Sequence, residues 1–281
     1  MSAFGGASVR EALDSAVIAI AAAGSDTPRL DAEVLLADAL GVDRTALFLD
    51  PAREVTGPAV RAFQDAVRRR SAGREPVAYI TGRRGFRHLE LEVDARVLVP
   101  RPETELLVEV GLELLPAGAR VVDVGTGSGA VALALAQERP DLEVLATEMS
   151  ADALDVARSN AARLGLGDAV GFIEGDLLAG VDRVDAVLSN PPYVAERERA
   201  ALAPEITRHE PPGALFAGAD GLDVIRRLVP AAAHAGARLL AIELGEGQSD
   251  AVARLLCLAG FVSVEARRDL AGIERVVVGT R

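Results

Sequence analysis

The sequence predicts an α/β fold with a seven-stranded, mostly parallel sheet, and two patterns carry this prediction. From about residue 106 onward, short apolar runs alternate with amphipathic helical segments, which is typical of a parallel sheet with right-handed crossovers. One apolar run ends in a glycine-rich turn that opens a helix, as in Rossmann-like nucleotide-binding units. Ahead of this part of the chain we expect a small helical bundle and a connecting β-hairpin.

Residues 1–73 are expected to form the helical domain. Ser8 and Glu11 form an S-x-x-E capping box ahead of apolar positions at helical spacing, and Gly24 ends this helix. Thr27 and Pro28 predict the start of a second helix, with Thr as the cap and Pro at the first helical position. Shorter helices follow, and each is amphipathic, so the group needs a common packing surface.

Residues 74–103 are expected to form a linker that contains the hairpin. Apolar residues alternate approximately around Tyr79, and they alternate strictly with acidic residues from Leu89 to Asp94. Two prolines two residues apart, Pro100 and Pro102, stiffen the backbone and exclude a helix before Glu103.

Residues 104–281 are expected to form the α/β domain. Strands are predicted at 120–124, 143–147, 169–173, 184–189, 237–243, 261–267 and 273–279. Helices are predicted between most of them, for example at 128–138, 151–164 and 248–259. The last two strands are close in sequence, so we expect them to pair as a hairpin.

The composition limits the cellular context and the partners. The 281 residues carry a net charge of −12, which disfavours a large nucleic-acid substrate and direct DNA binding. A single cysteine, Cys257, excludes an internal disulfide and fits a reducing compartment; we expect it to be buried on an apolar helix. Since we find neither a signal-peptide pattern nor a membrane-length apolar run, we expect a cytoplasmic protein, acting as a monomer.

The glycine-rich turn predicts a site for an adenosine-containing cofactor. Its candidate residues are Gly125, Thr126, Gly127, Ser128 and Gly129. Glu148 ends the next strand, where a carboxylate can accept hydrogen bonds from both ribose hydroxyls. Asp176 and Leu177 follow the third strand, where they could contact the adenine amino group and ring, although an acid there is equally expected as a helix cap. These features do not separate NAD from S-adenosylmethionine.

The segment Asn190, Pro191, Pro192 and Tyr193 closes the fourth predicted strand and is the candidate catalytic and substrate-binding motif. A planar nitrogen with two N–H groups can donate one hydrogen bond to the Asn190 side-chain oxygen and one to the Pro191 carbonyl. These contacts would orient its lone pair and stabilise developing positive charge, while Tyr193 packs on the planar group. The motif alone leaves an amide and an adenine amine equally open.

Other polar residues give weaker signals. His88, His209 and His234 show no metal-ligand spacing, so no metal site is expected. Two arginine clusters flank the predicted hairpin: Arg68, Arg69 and Arg70, then Arg83, Arg84 and Arg87. We expect them to form a solvated basic face, with a docking patch for an acidic partner or RNA as the alternative.

The chain resembles, over nearly its whole length, the protein-(glutamine-N5) methyltransferases that modify class 1 peptide chain release factors. The motifs are Gly-Arg-Glu-Pro-Val-Ala-Tyr-Ile-Thr-Gly at 73–82, Phe86, Val-Pro-Arg-Pro-Glu-Thr-Glu at 99–105, Asp-Val-Gly-Thr-Gly-Ser-Gly at 123–129, Asn-Pro-Pro-Tyr at 190–193, Glu-Pro at 210–211 and Asp-Gly-Leu at 220–222. The segment at 100–105 is the specific part, because Asn-Pro-Pro-Tyr also occurs in adenine-N6 methyltransferases.

The resemblance implies a class I methyltransferase fold, S-adenosyl-L-methionine as methyl donor and S-adenosyl-L-homocysteine as product. It implies that residues 125–129, Glu148, Leu177 and Asn190 contact the cofactor, and that residues 190–193 hold the glutamine of a Gly-Gly-Gln motif. Two departures are Glu148, where Asp is frequent, and Leu177, where some members carry an aromatic. The alternatives are a glutamine methyltransferase of a ribosomal protein, an adenine-N6 nucleic-acid methyltransferase, an NAD oxidoreductase and a non-catalytic nucleoside-binding or scaffold protein.

Overall fold

The computed structural model describes residues 7–281; the first six residues of the predicted helical domain lie outside the described residues. The chain divides into two compact units. The first comprises Met1–Gly82 together with Ala203–His209, and the second comprises Arg83–Leu202 together with Glu210–Arg281. The first unit therefore extends past the boundary expected after residue 73 and includes a short segment from far along the chain.

The first unit is helical and packs around one apolar core. Its helices are α1 (Val9–Ala22), α2 (Pro28–Leu40), α3 (Arg44–Leu49), α4 (Pro58–Ser71), α5 (Val77–Thr81) and, from the distant segment, α9 (Pro204–His209). The core consists mainly of one stripe of each of the first four helices, and its largest fully buried members are Ile20, Leu35 and Leu36. Spacing of three and four residues places these side chains on one face of each helix.

The predicted start of α1 is confirmed, whereas the start of α2 differs in the role of its cap residue. The capping box is confirmed: Ser8 Oγ accepts from the Glu11 amide, and the Glu11 carboxylate accepts from the Ser8 amide at 2.8 Å. Pro28 begins α2 as predicted, but Thr27 does not cap it. The Thr27 hydroxyl instead donates to Asp31 Oδ1 at 3.0 Å, because this buried carboxylate collects nearby donors.

The expectation that the arginine clusters form a solvated face is wrong for two members. Arg70 is only 7 % exposed, and its guanidinium binds Asp31 at 2.7 Å and Glu205 at 3.0 Å. Arg87, in the second unit, is largely buried in an ion pair with Glu138. Buried carboxylates require a fixed cation, and the planar guanidinium provides one with several donors.

A short helix, α5, occupies the position where alternation around Tyr79 predicted a strand. Pro76 precedes it with φ −56°, which suits a helix start, and Gly82 ends it in the left-handed region at φ +72°. Four or five residues are too few for the apolar pattern to distinguish a period of two from one of 3.6. The predicted hairpin follows immediately as β1 (Arg83–Phe86) and β2 (Leu89–Glu92).

The second unit contains the predicted seven-stranded sheet, which is confirmed. Its strands are β3 (Arg120–Val124), β4 (Glu143–Glu148), β5 (Val170–Glu174), β6 (Ala186–Ser189), β7 (Leu239–Glu243), β8 (Ser263–Arg268) and β9 (Glu274–Thr280). Their order is β5-β4-β3-β6-β7-β9-β8, with the first five parallel and β9 antiparallel to both neighbours. The strand order reverses between β3 and β6, where open α/β sheets bind ligands.

Five helices accompany the sheet in the second unit: α6 (Glu105–Leu114), α7 (Ala130–Glu138), α8 (Ala151–Arg163), α10 (Asp223–His234) and α11 (Ser249–Leu258). The expectation of a buried Cys257 is wrong, because its side chain is exposed. Val252 and Leu256 form the core-facing stripe of α11, and the next position along a helix points about 100° away. Within the described range, no helix is both long and apolar enough to cross a membrane.

Candidate active site

A cleft of about 510 Å³ opens at the carboxyl ends of β3, β4, β5 and β6, a size typical of small-molecule sites. The predicted residues that line it are Gly125, Thr126, Gly127, Ser128, Glu148, Asp176, Leu177, Asn190 and Pro192. The predicted residues Gly129, Pro191 and Tyr193 lie outside its lining. The topology thus gathers both predicted motifs, separated by more than sixty residues, at one site.

The glycine-rich turn joins β3 to α7 in a conformation that requires glycine. Gly127 has φ +55° and open space where a Cβ would stand, so the backbone can approach a ligand. Gly129 has φ +87°, and a Cβ there would lie 2.9 Å from the Leu133 side chain. One glycine therefore keeps the cleft open, while the other allows the helix to pack closely.

Glu148 is held in the cleft by backbone amides. Its Oε2 accepts from the Gly127 amide at 3.0 Å, and its Oε1 accepts from the Ser150 amide at 3.0 Å. Each carboxylate oxygen retains a further acceptor site. The fixed carboxylate beside the glycine turn fits the two hydroxyls of a ribose.

Asp123 is a cleft residue that the sequence reasoning missed. Its Oδ2 accepts from the Thr126 hydroxyl at 2.6 Å and from the Ala132 amide at 3.2 Å. Burial raises the pKa of this carboxyl to about 6, against the lowering effect of these hydrogen bonds. The available signal was an acid inside an otherwise apolar strand, directly before the glycine turn.

Asp176 and Leu177 line the cleft just after the end of β5. The Asp176 carboxylate pairs with Arg227, so a cation partly occupies the acceptor predicted for an adenine amino group. Leu177 has φ +54°, an uncommon conformation for a residue with a γ-branched side chain. Backbone strain of this kind is retained at ligand sites when the surrounding structure enforces it.

The Asn-Pro-Pro-Tyr segment leaves the end of β6 with its polar groups fixed. The Asn190 Nδ2 donates to the Thr104 hydroxyl at 3.1 Å, which leaves Oδ1 as a separate acceptor. The Tyr193 carbonyl accepts from Gln248 Nε2 at 2.9 Å. Burial raises the pKa of the Tyr193 phenol above its usual range, so this side chain is neutral.

Two further residues beside this motif, Thr104 and Glu243, were not identified from the sequence. Both are nearly inaccessible, with exposures of 4 % and 1 %. Burial raises the pKa of the Glu243 carboxyl to about 7, while a hydrogen bond with Thr104 opposes that rise. Thr104 belongs to the Pro-Arg-Pro-Glu-Thr-Glu segment, but no local pattern indicates its contact with Asn190, and Glu243 belongs to none of the motifs.

An ion pair joins the segment before α6 to a segment that follows the Asn-Pro-Pro-Tyr motif. Arg101 Nη2 lies 2.5 Å from Glu210 Oε2, and the Glu210 side chain is almost fully buried. Burial raises the pKa of Glu210, whereas the arginine lowers it. This pair fixes the Pro-Arg-Pro-Glu segment against the Glu-Pro segment within the second unit.

Known families match both parts of the chain. Residues 11–82 match the family described as PrmC N-terminal domain, and residues 102–216 match the family described as methyltransferase small domain. A release factor glutamine methyltransferase of Burkholderia pseudomallei is 48 % identical over 264 residues, covering 89 % of this chain and 91 % of the relative. One of Deinococcus radiodurans is 44 % identical over 279 residues, covering 97 % and 98 %.

Solved structures share the fold at low sequence identity. The catalytic domain of hMettl16 in complex with MAT2A 3'UTR hairpin 6 has a TM-score of 0.56 at 18 % identity, covering 79 % of this chain and 81 % of that one. A methyltransferase from Pyrococcus furiosus has a TM-score of 0.51 at 18 % identity, covering 68 % and 88 %. At this identity the likeness concerns the fold alone.

Proposed function

The chain belongs to the release factor glutamine methyltransferases, and on that premise we propose that it methylates the glutamine of the Gly-Gly-Gln motif in class 1 peptide chain release factors. The methyl group would come from S-adenosyl-L-methionine and would be transferred to the side-chain amide nitrogen, N5. The observation that supports this most directly is the fixed Asn190 amide, whose Oδ1 remains available as an acceptor at the cleft.

The cleft residues fit the proposed cofactor. Glu148 would accept from the ribose hydroxyls, and the open backbone at Gly127 would allow close approach of the ligand. Leu177 would cover the adenine, and Asp176, despite its pair with Arg227, keeps a second carboxylate oxygen. When bound, S-adenosyl-L-methionine supplies an activated methyl group on a sulfonium.

The protein's own contribution to methyl transfer is to orient a weak nucleophile. An amide nitrogen has a delocalised lone pair and two N–H donors. Asn190 Oδ1 and the Pro191 carbonyl would accept one N–H each, which fixes the nitrogen and stabilises positive charge developing on it. As the nitrogen gains the methyl group it releases one proton to solvent. The methylated amide therefore keeps one N–H only, so one acceptor loses its donor, which favours product release.

The test is transfer of labelled methyl groups from S-adenosyl-L-methionine to a purified class 1 release factor. We expect label on the wild-type factor and none on a factor whose Gly-Gly-Gln glutamine is changed to Ala. The Asn190→Ala enzyme should lose most activity, about 100-fold in kcat, while still binding S-adenosyl-L-homocysteine. Equal labelling of both factors would overturn the proposal.

The motif itself also accommodates an adenine amine, so nucleic acid must be tested as a competing substrate. The net charge of −12 disfavours it, because backbone binding needs concentrated positive charge. A ribosomal protein is the competing glutamine substrate. Label on RNA, DNA or ribosomal protein with none on the release factor would replace the proposed substrate. We place the reaction in the cytoplasm, where release factors act, with the enzyme as a monomer.

A further inference from the structure

We propose that Thr104 and Glu243 are positioning residues that fix the amide orientation of Asn190 for methyl transfer. This inference rests on the proposed function and concerns how the acceptor at the cleft is held. Asn190 Nδ2 donates to the Thr104 hydroxyl at 3.1 Å, and this hydroxyl is close enough to the Glu243 carboxyl to lower its pKa.

The sheet register brings Asn190 and Glu243 together. In the parallel pair of β6 and β7, Ser189 is opposite Ile242. The next residues, Asn190 and Glu243, therefore stand side by side where the two strands end. Thr104 reaches them from the turn that precedes α6. The Pro-Arg-Pro-Glu-Thr-Glu segment thus supplies the hydroxyl that connects two neighbouring strand ends.

The direction of the hydrogen bonds decides which atom Asn190 offers to substrate. A threonine hydroxyl has one hydrogen and two lone pairs. When the hydrogen is donated to a Glu243 carboxylate, only lone pairs remain for Asn190. Asn190 must then present its NH₂ group to Thr104, and Oδ1 is kept for the substrate N–H. A free hydroxyl would also accept the flipped amide, in which Oδ1 faces Thr104.

Glu243 is unusual in its surroundings, because it is buried with an incomplete set of partners. Its Oε2 has no hydrogen-bond partner in the part of the chain that the structure describes. An unpaired buried oxygen is costly, so a role beyond packing explains its presence better than stability does. The charge of Glu103 raises the Glu243 pKa, and the charges of Arg275 and Arg101 lower it. The Glu243 charge in turn raises the pKa of Tyr193.

The test uses Thr104→Val, Thr104→Ser and Glu243→Gln in the full chain, with release-factor methylation as the activity. Valine matches the shape of threonine and removes the hydroxyl, so kcat should fall about 10- to 100-fold, as for a misplaced catalytic group. Serine restores the hydroxyl and should recover most of the activity. The affinity for S-adenosyl-L-homocysteine, measured by calorimetry, should change less than about twofold in all three variants.

The matched control is Thr147→Val. The Thr147 hydroxyl is equally buried and has no hydrogen-bond partner within residues 7–281, so its removal should leave kcat unchanged. A folding defect in Thr104→Val would show as lost cofactor affinity and would be rescued by raising the stability of the protein. In that case the comparison is made between Thr104→Ser and Thr104→Ala. Wild-type kcat in Thr104→Val or in Thr104→Ala would overturn the inference.

The pH profile separates positioning from packing. Because the Glu243 pKa is raised to about 7, the carboxylate is protonated below that pH and the direction of the Thr104 hydrogen bond is lost. Wild-type kcat should therefore fall as the pH decreases through about 7, and this limb should be absent in Glu243→Gln. A limb that persists unchanged in Glu243→Gln would contradict the role of Glu243. Absence of release-factor labelling by the wild-type enzyme would instead refute the proposed function itself.

Discussion

Gly221 lies directly against the backbone carbonyl of Tyr193: a Cβ at residue 221 would stand 2.1 Å from that oxygen. Gln248 donates to the same carbonyl at 2.9 Å. Thus the Asp-Gly-Leu segment and Gln248, which caps α11, together hold the last residue of the Asn-Pro-Pro-Tyr segment. The close approach leaves no room for any side chain at position 221.

Gly221→Ala should reduce both stability and activity. The residue has φ +80°, and the added methyl group meets backbone rather than a flexible side chain, so Tyr193 must move. We expect a loss of about 2–4 kcal/mol in the free energy of unfolding and at least a tenfold loss of kcat. Denaturant unfolding and the methylation assay measure the two effects.

Gly236→Ala is the matched control for backbone strain alone. Gly236 has φ +82° with no atom within 4 Å of the added Cβ. This variant should cost about 1 kcal/mol and leave kcat unchanged. If the two variants lost activity equally, displacement of Tyr193 would not be the cause.

Glu148→Ala should weaken cofactor binding more than it affects folding. The substitution removes the carboxylate proposed to bind the ribose and frees the Gly127 amide. Hydrogen bonds to a charged group contribute about 1.5–3 kcal/mol, so the Kd for S-adenosyl-L-homocysteine should rise roughly 10- to 100-fold. Isothermal calorimetry tests this. Glu143→Ala, at the exposed other end of β4, should bind normally.

Asp123→Asn should change the pH dependence of stability. The pKa of Asp123 is raised by burial from 3.8 to about 6, so the folded state binds the proton more tightly than the unfolded state. The contribution of Asp123 to the free energy of unfolding is therefore favourable below pH 4 and is lost as the pH rises to about 6. Relative to wild type, Asp123→Asn should therefore gain up to about 3 kcal/mol between pH 4 and pH 7. A constant difference in unfolding free energy over this range would show that Asp123 titrates normally.

Glu205→Ala should destabilise the first unit. Glu205 binds both Arg70 and Arg74, and both arginine side chains are mostly buried. Removing one partner of a buried ion pair leaves uncompensated charge, with an expected loss of about 3 kcal/mol. Arg68→Ala is the control, since Arg68 is 75 % exposed and should change stability by less than about 0.5 kcal/mol. Thermal unfolding of both variants makes the comparison; similar melting temperatures would contradict the buried role of Glu205.

The sheet and most of the residues that line the cleft could be predicted from the sequence for physical reasons. Strands such as β3 and β6 are buried on both faces, so they appear as continuous apolar runs that stand out from the helices. The glycine turn after β3 and the motif after β6 each have local requirements that few residues meet. Their meeting at one cleft follows from the parallel arrangement, which the alternating pattern also predicts.

What the sequence did not disclose depends on contacts between distant segments. The contact of Thr104 with Asn190 joins segments that are far apart in the chain, and Glu243 stands beside Asn190 only because β6 and β7 are neighbours. Arg70 is indistinguishable from its neighbours in the arginine run, since its burial depends on Asp31, thirty-nine residues away. Cys257 shows a similar limit, because one helical position separates a core residue from an exposed one.

The assignment of α9 to the first unit means that the chain passes between the two units three times, at residues 82–83, 202–203 and 209–210. The helical unit is therefore not a detachable module. A chain shortened to begin at Arg83 would keep Glu205 but lose both arginines that neutralise it. If such a truncation reduced activity, the cause could be the release of the segment that begins ten residues after Tyr193, as well as the loss of the helices. Swapping this unit between relatives would require exchanging residues 203–209 at the same time.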